Sequence, residues 1–359
     1  MDTTAISAVL ALAAVNYGEV QQGRPSWSQR DMQTATNLVR VDPMAWAGDY
    51  GCSTAAFTSS ERSDKPPLLY HDGLTEIAQL HSQDMAAHGF MGHDSWNGTS
   101  FGDRVWPYYP GSTIAENVAW GYADSAQVVW QGWMCSADHR ANIMSGAFTD
   151  LGCGVQDAYY TQDFGGGAGQ PHQPVAMGVH SPERPQGAVT FLVTFDDSAP
   201  TWFAVETPSA CLDLERFVGS EHRGGWQVQA SAEAGCVPYR FLWTSHGSEL
   251  QAMPTTGAYQ YGAGCDPWVA QPPQGCSDGP DPTDSGQGDT GEACAHDDRN
   301  CDGRPDRPVD GSPGPGCGCS GNPTAAGLWL GLLALAGPGA RRRCSVQEPG
   351  PTSPRALPK

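Results

Sequence analysis

His81-Ser82-Gln83-Asp84-Met85 opens a series of five ordered blocks that decides the fold of this chain. Gly92-His93-Asp94 follows, then Ala115-Glu116-Asn117-Val118-Ala119-Trp120-Gly121-Tyr122. The fourth block is Trp133-Met134-Cys135-Ser136-Ala137-Asp138-His139-Arg140-Ala141-Asn142-Ile143-Met144, and Leu151-Gly152-Cys153-Gly154-Val155 closes the series. Two histidines and a carboxylate therefore lie in separate segments that can line one cavity. Around them the pattern alternates between helix and strand. Ser26 and Ser28 can cap a helix that runs to about Arg40 and is stopped by Asp42-Pro43. Leu74, Ile77, Ala78, His81 and Met85 recur at three- and four-residue spacing behind Asp72, a capping residue, and Gly89 ends that helix. A third helix starts at Ser125 and carries Val128, Val129, Trp133 and Met134. Asp138 can cap a short helix over 139–144, and 151–156 and 159–164 read as a strand hairpin. The pattern alone predicts an α+β domain.

In their order and wording the blocks resemble the CAP superfamily: cysteine-rich secretory proteins, antigen 5 and pathogenesis-related 1 proteins, also called the SCP domain. Bacterial members read SxDM, a His-containing turn, GENxAxGY, WMxSPxHRxNIM and LGxGV. Asn37-Leu38-Val39-Arg40 resembles the opening helix and Tyr160-Thr161-Gln162-Asp163-Phe164 the closing strand. The resemblance covers 27–165 and implies a three-layer αβα sandwich. It also implies a cavity holding the first His and Glu of the family's tetrad, at His93 and Glu116. The tetrad's second Glu falls on Ser136 and its second His on Tyr159, so half of it is lost. His139, from the bacterial block, is the candidate replacement. Family members with paired cavity histidines can hold a divalent metal, so Zn2+ on His93 and His139, with Glu116 as proton acceptor, is one expectation. Asn117, Ser136, Asp138, Arg140 and Tyr159 are expected as cavity or structural residues. His81 is expected packed and His88 solvated. Trp120, Tyr122, Trp130 and Trp133 are expected in the core.

Beyond Gly165-Gly166-Gly167 short β-branched or aromatic runs alternate with turn residues, at 175–179, 189–195, 202–206, 226–230, 239–243 and 259–261. The first two are candidates to complete the preceding sheet, and the rest predict a small all-β sandwich within 170–265. Residues 266–323 are an acidic Gly/Pro-rich stretch that cannot bury enough apolar surface for an ordinary core, and read as a disordered linker. Within it Asp298, Asn300 and Asp302 match half of a Ca2+ loop, but Val309 stands where the closing Glu belongs. A Cys317-Gly318-Cys319 motif, an apolar run within 324–343 and Arg341-Arg342-Arg343 resemble the MYXO-CTERM sorting tail, with one short apolar helix and positive charge retained inside. Residues 344–359 form a tail. At the other end, 1–26 hold an apolar run like a signal-peptide core, without the basic residues such a leader carries.

The chain has 359 residues, twelve cysteines and a formal net charge of -20. The charge argues against nucleic acid as a partner. The cysteines, with no paired CxxC zinc pattern, favour disulfides and an oxidising compartment. Cys52, Cys135, Cys153, Cys211, Cys236 and Cys265 are the disulfide candidates, with Cys135–Cys153 the pair expected in the first domain. Asn97-Gly98-Thr99 is a glycosylation sequon, meaningful only in a eukaryotic secretory host. HExxH, a phosphate-binding glycine loop and a Cys–His nucleophile block are absent from the sequence. The leading expectation is an exported surface protein that binds a lipid, sterol-like or other cell-surface ligand in its cavity, and meets the membrane through its C-terminal segment. A zinc-dependent hydrolase and a structural protein with a vestigial site are the alternatives.

Overall fold

The computed structural model describes residues 25–245 and 249–276. The leader, the calcium half-loop at Asp298, Asn300 and Asp302, and the tail with Cys317, Cys319 and Arg341 to Arg343 lie outside the described residues.

The first helix, α1 (Trp27–Val41), begins with a capping box: Ser26 Oγ accepts the Gln29 N–H and the Gln29 side chain accepts the Ser26 N–H. It ends at Asp42, the residue before a proline, as sterics demand. Next come β1 (Leu69–Tyr70), α2 (Asp72–His88), α3 (Phe101–Val105), β2 (Thr113–Trp120), α4 (Ser125–Gln127), α5 (Ala137–Ile143), β3 (Asp150–Gln156) and β4 (Tyr159–Gly166). The four strands form one sheet in the order β1-β3-β4-β2, with β1 parallel to β3 and the other pairs antiparallel. The glycines of the last sequence block explain how α2 reaches this sheet. A Cβ on Gly152 would lie 2.1 Å from the Leu74 carbonyl carbon, and one on Gly154 would lie 2.1 Å from the Ala78 oxygen. Only glycine lets the helix backbone close on β3 at both points.

Local details depart from the sequence reading. Helix α2 is capped by His71, whose Nδ1 accepts the Leu74 N–H, and Asp72 is its first residue. Gly89 closes it in the left-handed conformation at φ 65°. After α4 the winding widens to a π turn over Val128–Gly132 and tightens to a 3-10 turn over Trp133–Cys135. That change turns Val128, Val129, Trp133 and Met134 all inward. Helix α5 starts two residues earlier than expected, so Asp138 is an exposed first-turn residue rather than the cap. Ser136 holds the cap position without a side-chain bond. Trp120 is not core: it is the last residue of β2, 59% exposed, and its ring meets that of Tyr159.

The chain continues through β5 (Val175–Gln186), β6 (Ala188–Asp196), β7 (Pro200–Glu206), β8 (Cys211–Asp213), β9 (Glu215–Gly219), β10 (Arg223–Ser231), β11 (Val237–Ser245), β12 (Gln251–Met253), β13 (Ala258–Tyr261) and β14 (Trp268–Val269). Strands β5 and β6 do not extend the first sheet. They belong to a second one, β5-β6-β10-β9, beside a third with β14-β13-β11-β7-β8 in line and β12 on β11. Phe191 and Phe195 from one sheet meet Phe203, Tyr239 and Phe241 from the other in a single apolar cluster.

Helix α1 is covered on all sides, with every residue from Gln29 to Val41 buried. Toward the first sheet, Asn37 brackets Leu68 by donating to its carbonyl and accepting its N–H. Toward the other two sheets, Trp27 Nε1 donates to the carbonyl of His180 on β5 at 2.7 Å and Arg30 Nη1 to Oη of Tyr239 on β11 at 2.7 Å. The Arg30 guanidinium also lies 4.2 Å over the Tyr259 ring, a cation–π contact. Burial and then the charge of Arg30 push His180 down to about 3, which leaves the imidazole neutral beside it. Asp31, next on the same helix, is pushed up to about 7 by burial and then by Asp124 and Glu183.

Among the described residues, three disulfides join Cys52 to Cys135, Cys211 to Cys276 and Cys236 to Cys265. The expected Cys135–Cys153 bridge is corrected: Cys153 is a free thiol at 1% exposure, turned from β3 into the apolar core. Cys135 sits in the 3-10 turn instead, facing the loop that carries Cys52. The second bridge carries the described fold past 265, to a cysteine the sequence reading did not count.

Candidate functional site

Glu116 is the centre of the site. It sits in the middle of β2 with its side chain 1% exposed. His93 Nδ1 donates to Oε1 at 2.8 Å and Arg104 Nη2 donates to Oε2. A buried carboxylate needs such compensation, because desolvation otherwise penalises its charge by several kcal/mol. The same two partners hold the 91–99 loop. Arg104 Nη1 donates to the His93 carbonyl at 2.7 Å and to Ser95 Oγ, and His81 Nε2 donates to the Gly92 carbonyl at 2.8 Å. Glu116, through Arg104 and His93, thus fixes the path of that loop.

Arg104 was missed by sequence reasoning. It lies on α3, a five-residue helix whose cap, Ser100, accepts the Asp103 N–H. The Ser100-to-Asp103 spacing signals a helix start, yet nothing nearby names the partner of Arg104. Asp163 was also missed. It stands directly opposite Glu116 across β2 and β4, fully buried, and no N–H or O–H of another group among the described residues reaches either of its oxygens. Burial, and then the Glu116 carboxylate, hold its carboxyl well above the usual range. The two carboxyls thus face each other across the sheet, and the charge of Glu116 favours the protonated form of Asp163.

The histidines differ in state. His93 is raised by its hydrogen bond to Glu116 and keeps an exposed ring edge, its side chain 55% exposed. His139 is half-buried, and burial and then the nearby His93 push it down. His81 is 1% exposed and is lowered mainly by burial, so its ring is neutral, with Nε2 protonated for Gly92. A zinc site would need Glu116, His93 and His139 as three converging donors. Both Glu116 oxygens are engaged, one by a guanidinium, and no group of three His, Cys, Asp or Glu side chains able to hold a metal occurs among the described residues.

The other predicted residues divide in two. Asn117 is fully buried beside Glu116, donating to the His139 carbonyl and to Gln162 while accepting from Asn142. Arg140 binds Glu61 at 3.0 Å and the Met134 carbonyl, and lies over Phe57. Both organise turns around the cluster. Ser136, Asp138 and Tyr159 make no contact with Glu116, and Tyr159 instead packs beside Trp120.

A pocket of about 460 Å³ is bordered by Arg104 together with His81, Asp84, His88, Trp96 and Asn97. Trp96 is 60% exposed, stacked on His88 with ring centres 4.9 Å apart. His88 is exposed, as expected, and Asp84 fixes the pair by contacting His88 and accepting the Trp96 backbone N–H.

Comparison with known proteins bears on 33–165. These residues match the CAP family model, the Cysteine-rich secretory protein family, which supports a CAP/SCP domain over that segment. "Uncharacterized membrane protein YlbC" of Bacillus subtilis (strain 168) is 36% identical over 98 residues, 27% of this chain and 28% of that protein. "Uncharacterized protein YkwD" of the same organism is 31% identical over 120 residues, 32% of this chain and 46% of that one. The chain thus spans less than half the length of these curated relatives. Among solved structures, an extracellular protein containing an SCP domain from Bacillus anthracis shares 27% identity, covering 39% of this chain and 40% of that chain, with a TM-score of 0.31. A cysteine-rich secretory protein from Staphylococcus aureus shares 18% identity over 41% of this chain and 42% of that chain, with a TM-score of 0.27.

Proposed function

We propose that this chain is an exported, surface-associated binding protein whose CAP/SCP domain holds its ligand beside the Glu116 cluster. One observation carries the reading: Glu116 is buried with each oxygen hydrogen-bonded, to His93 and to Arg104, which fasten the loop that walls the adjacent pocket. A general base or metal ligand needs a free oxygen facing the reactant. This carboxylate spends both on holding its own domain together. In this reading the first domain is an αβα sandwich and the second a β-sandwich that acts as a rigid support. Three disulfides favour an oxidising compartment, and the C-terminal segment serves as the sorting tail. No helix among the described residues is long and apolar enough to cross a membrane.

Native mass spectrometry of the full chain soaked in zinc chloride, beside the His93→Ala/His139→Ala variant, tests the reading against a hydrolase. The expected result is the same zinc occupancy in both. Stoichiometric zinc in the wild type that disappears in the variant, together with chelator-sensitive cleavage of casein, would overturn it.

A further inference from the structure

Two buried nitrogens around the pocket lack partners, and they ask for different things. His81 Nε2 donates to Gly92, so Nδ1 carries a lone pair, and no hydrogen bond reaches it. Arg104 uses both terminal nitrogens, but its Nε–H donates to nothing. Both side chains are more than nine-tenths buried, at 1% and 7% exposure, and both border the pocket. One nitrogen needs a donor and the other an acceptor. A hydroxyl supplies both roles, whereas a carboxylate, a phosphate or an alkyl chain does not.

The pocket also carries a flat aromatic surface, the Trp96 ring stacked on His88. His88 stacks at 9° to the Trp96 ring, Asp84 holds His88 and the Trp96 backbone, and the residue is still 60% exposed. An indole fixed in this way is a pre-organised platform: large contact area, little rotamer freedom left to lose. Asp84 beside it and the formal charge of -20 on the chain disfavour an anionic ligand. The volume of about 460 Å³ falls in the ligand-sized range of roughly 300–1,000 Å³. A compound with an apolar ring face and many hydroxyls matches all of these features.

We infer that this pocket is a carbohydrate site, taking a neutral oligosaccharide whose ring lies on Trp96 and whose hydroxyl groups turn toward His81, Arg104 and Asn97. This rests on the binding-protein reading above and names its ligand class. Titration calorimetry of the full chain with cellotetraose, chitotetraose and, separately, sodium palmitate tests it, using wild type, Trp96→Ala and Trp96→Phe. At least one oligosaccharide should bind, with affinity falling about tenfold or more in Trp96→Ala, as for an interface anchor. Trp96→Phe keeps a platform and should stay within about threefold of wild type. The melting midpoint of Trp96→Ala should match wild type, since the ring is exposed. Oligosaccharide binding unchanged by Trp96→Ala would overturn the site. Palmitate binding that depends on Trp96, with no oligosaccharide bound, would leave the binding protein standing and remove the carbohydrate. No binding of either probe would count against both.

Discussion

Asp31→Asn should stabilise this protein at neutral pH and do little in acid. Asp31 is 7% exposed on α1, between Arg30 and the neighbouring carboxylates Asp124 and Glu183, and accepts the Ala126 N–H. Its carboxyl is pushed from 3.8 up to about 7, with burial as the main cause. At about 1.4 kcal/mol per tenfold in proton affinity, that gap (3.8 to about 7) is worth about 4 kcal/mol. The sign follows from proton counts. Between pH 3.8 and about 7 the folded state keeps this proton and the unfolded state loses it. Stability therefore falls as pH rises through that window and levels off above it. Asparagine has no proton to lose and keeps an oxygen for the Ala126 N–H. Urea unfolding of wild type and Asp31→Asn at pH 4 and pH 8 isolates the effect from other acids, because only the difference between the two proteins is read. The variant should gain up to about 4 kcal/mol at pH 8 and almost none at pH 4. An equal difference at both pH values, or a variant less stable at pH 8, would refute the placement of Asp31 as a buried neutral acid.

Three further outcomes follow from the site and the cysteines. Glu116→Ala leaves Arg104 buried without its partner, which should cost about 3–5 kcal/mol; Glu116→Ala/Arg104→Ala should cost less than the sum of the single changes, and hydrogen exchange at 91–99 should quicken. His93, raised by Glu116, should titrate above the ordinary 6.5 in an NMR pH series and drop back in Glu116→Gln; an unchanged midpoint would break the assigned contact. Iodoacetamide without reductant should leave Cys153 unmodified in the native fold and label it on unfolding, whereas peptide mapping should recover Cys52 linked to Cys135; a Cys135–Cys153 peptide would contradict the structure.

Periodicity made most helices and strands readable, because burial of one face imposes spacing: the hairpin of β3 and β4 and the box at Ser26 show it. The blocks also named His93 and Glu116, which do meet. What was not readable depends on approach across space. Arg104 reaches Glu116 from a five-residue helix, and nothing in the order of residues encodes that reach. The pairing of Cys135 is decided by which way a 3-10 turn faces, and Cys153 looks eligible until β3 is seen to turn it into the core. Trp120 reads as core because tryptophan usually is, but its place at a strand end leaves it outside. Strands β5 and β6 have the right residues to join the first sheet, yet they pair with each other and, through β6, with β10 instead, a choice made by long-range partners.

The bond between Cys211 and Cys276 has a mechanical consequence. Tension applied to the chain beyond 276 does not first peel off β14 and β13, the strands nearest that end in sequence. It passes covalently into β8 and so into β7, and the 64 residues between the two cysteines are shunted out of the force path. The only slack available is in what precedes Cys211. An attachment made through the C-terminal side of this protein would therefore load the turn before β8 and then β7 ahead of its last hairpin, and a thiol reductant would let that hairpin take the load first.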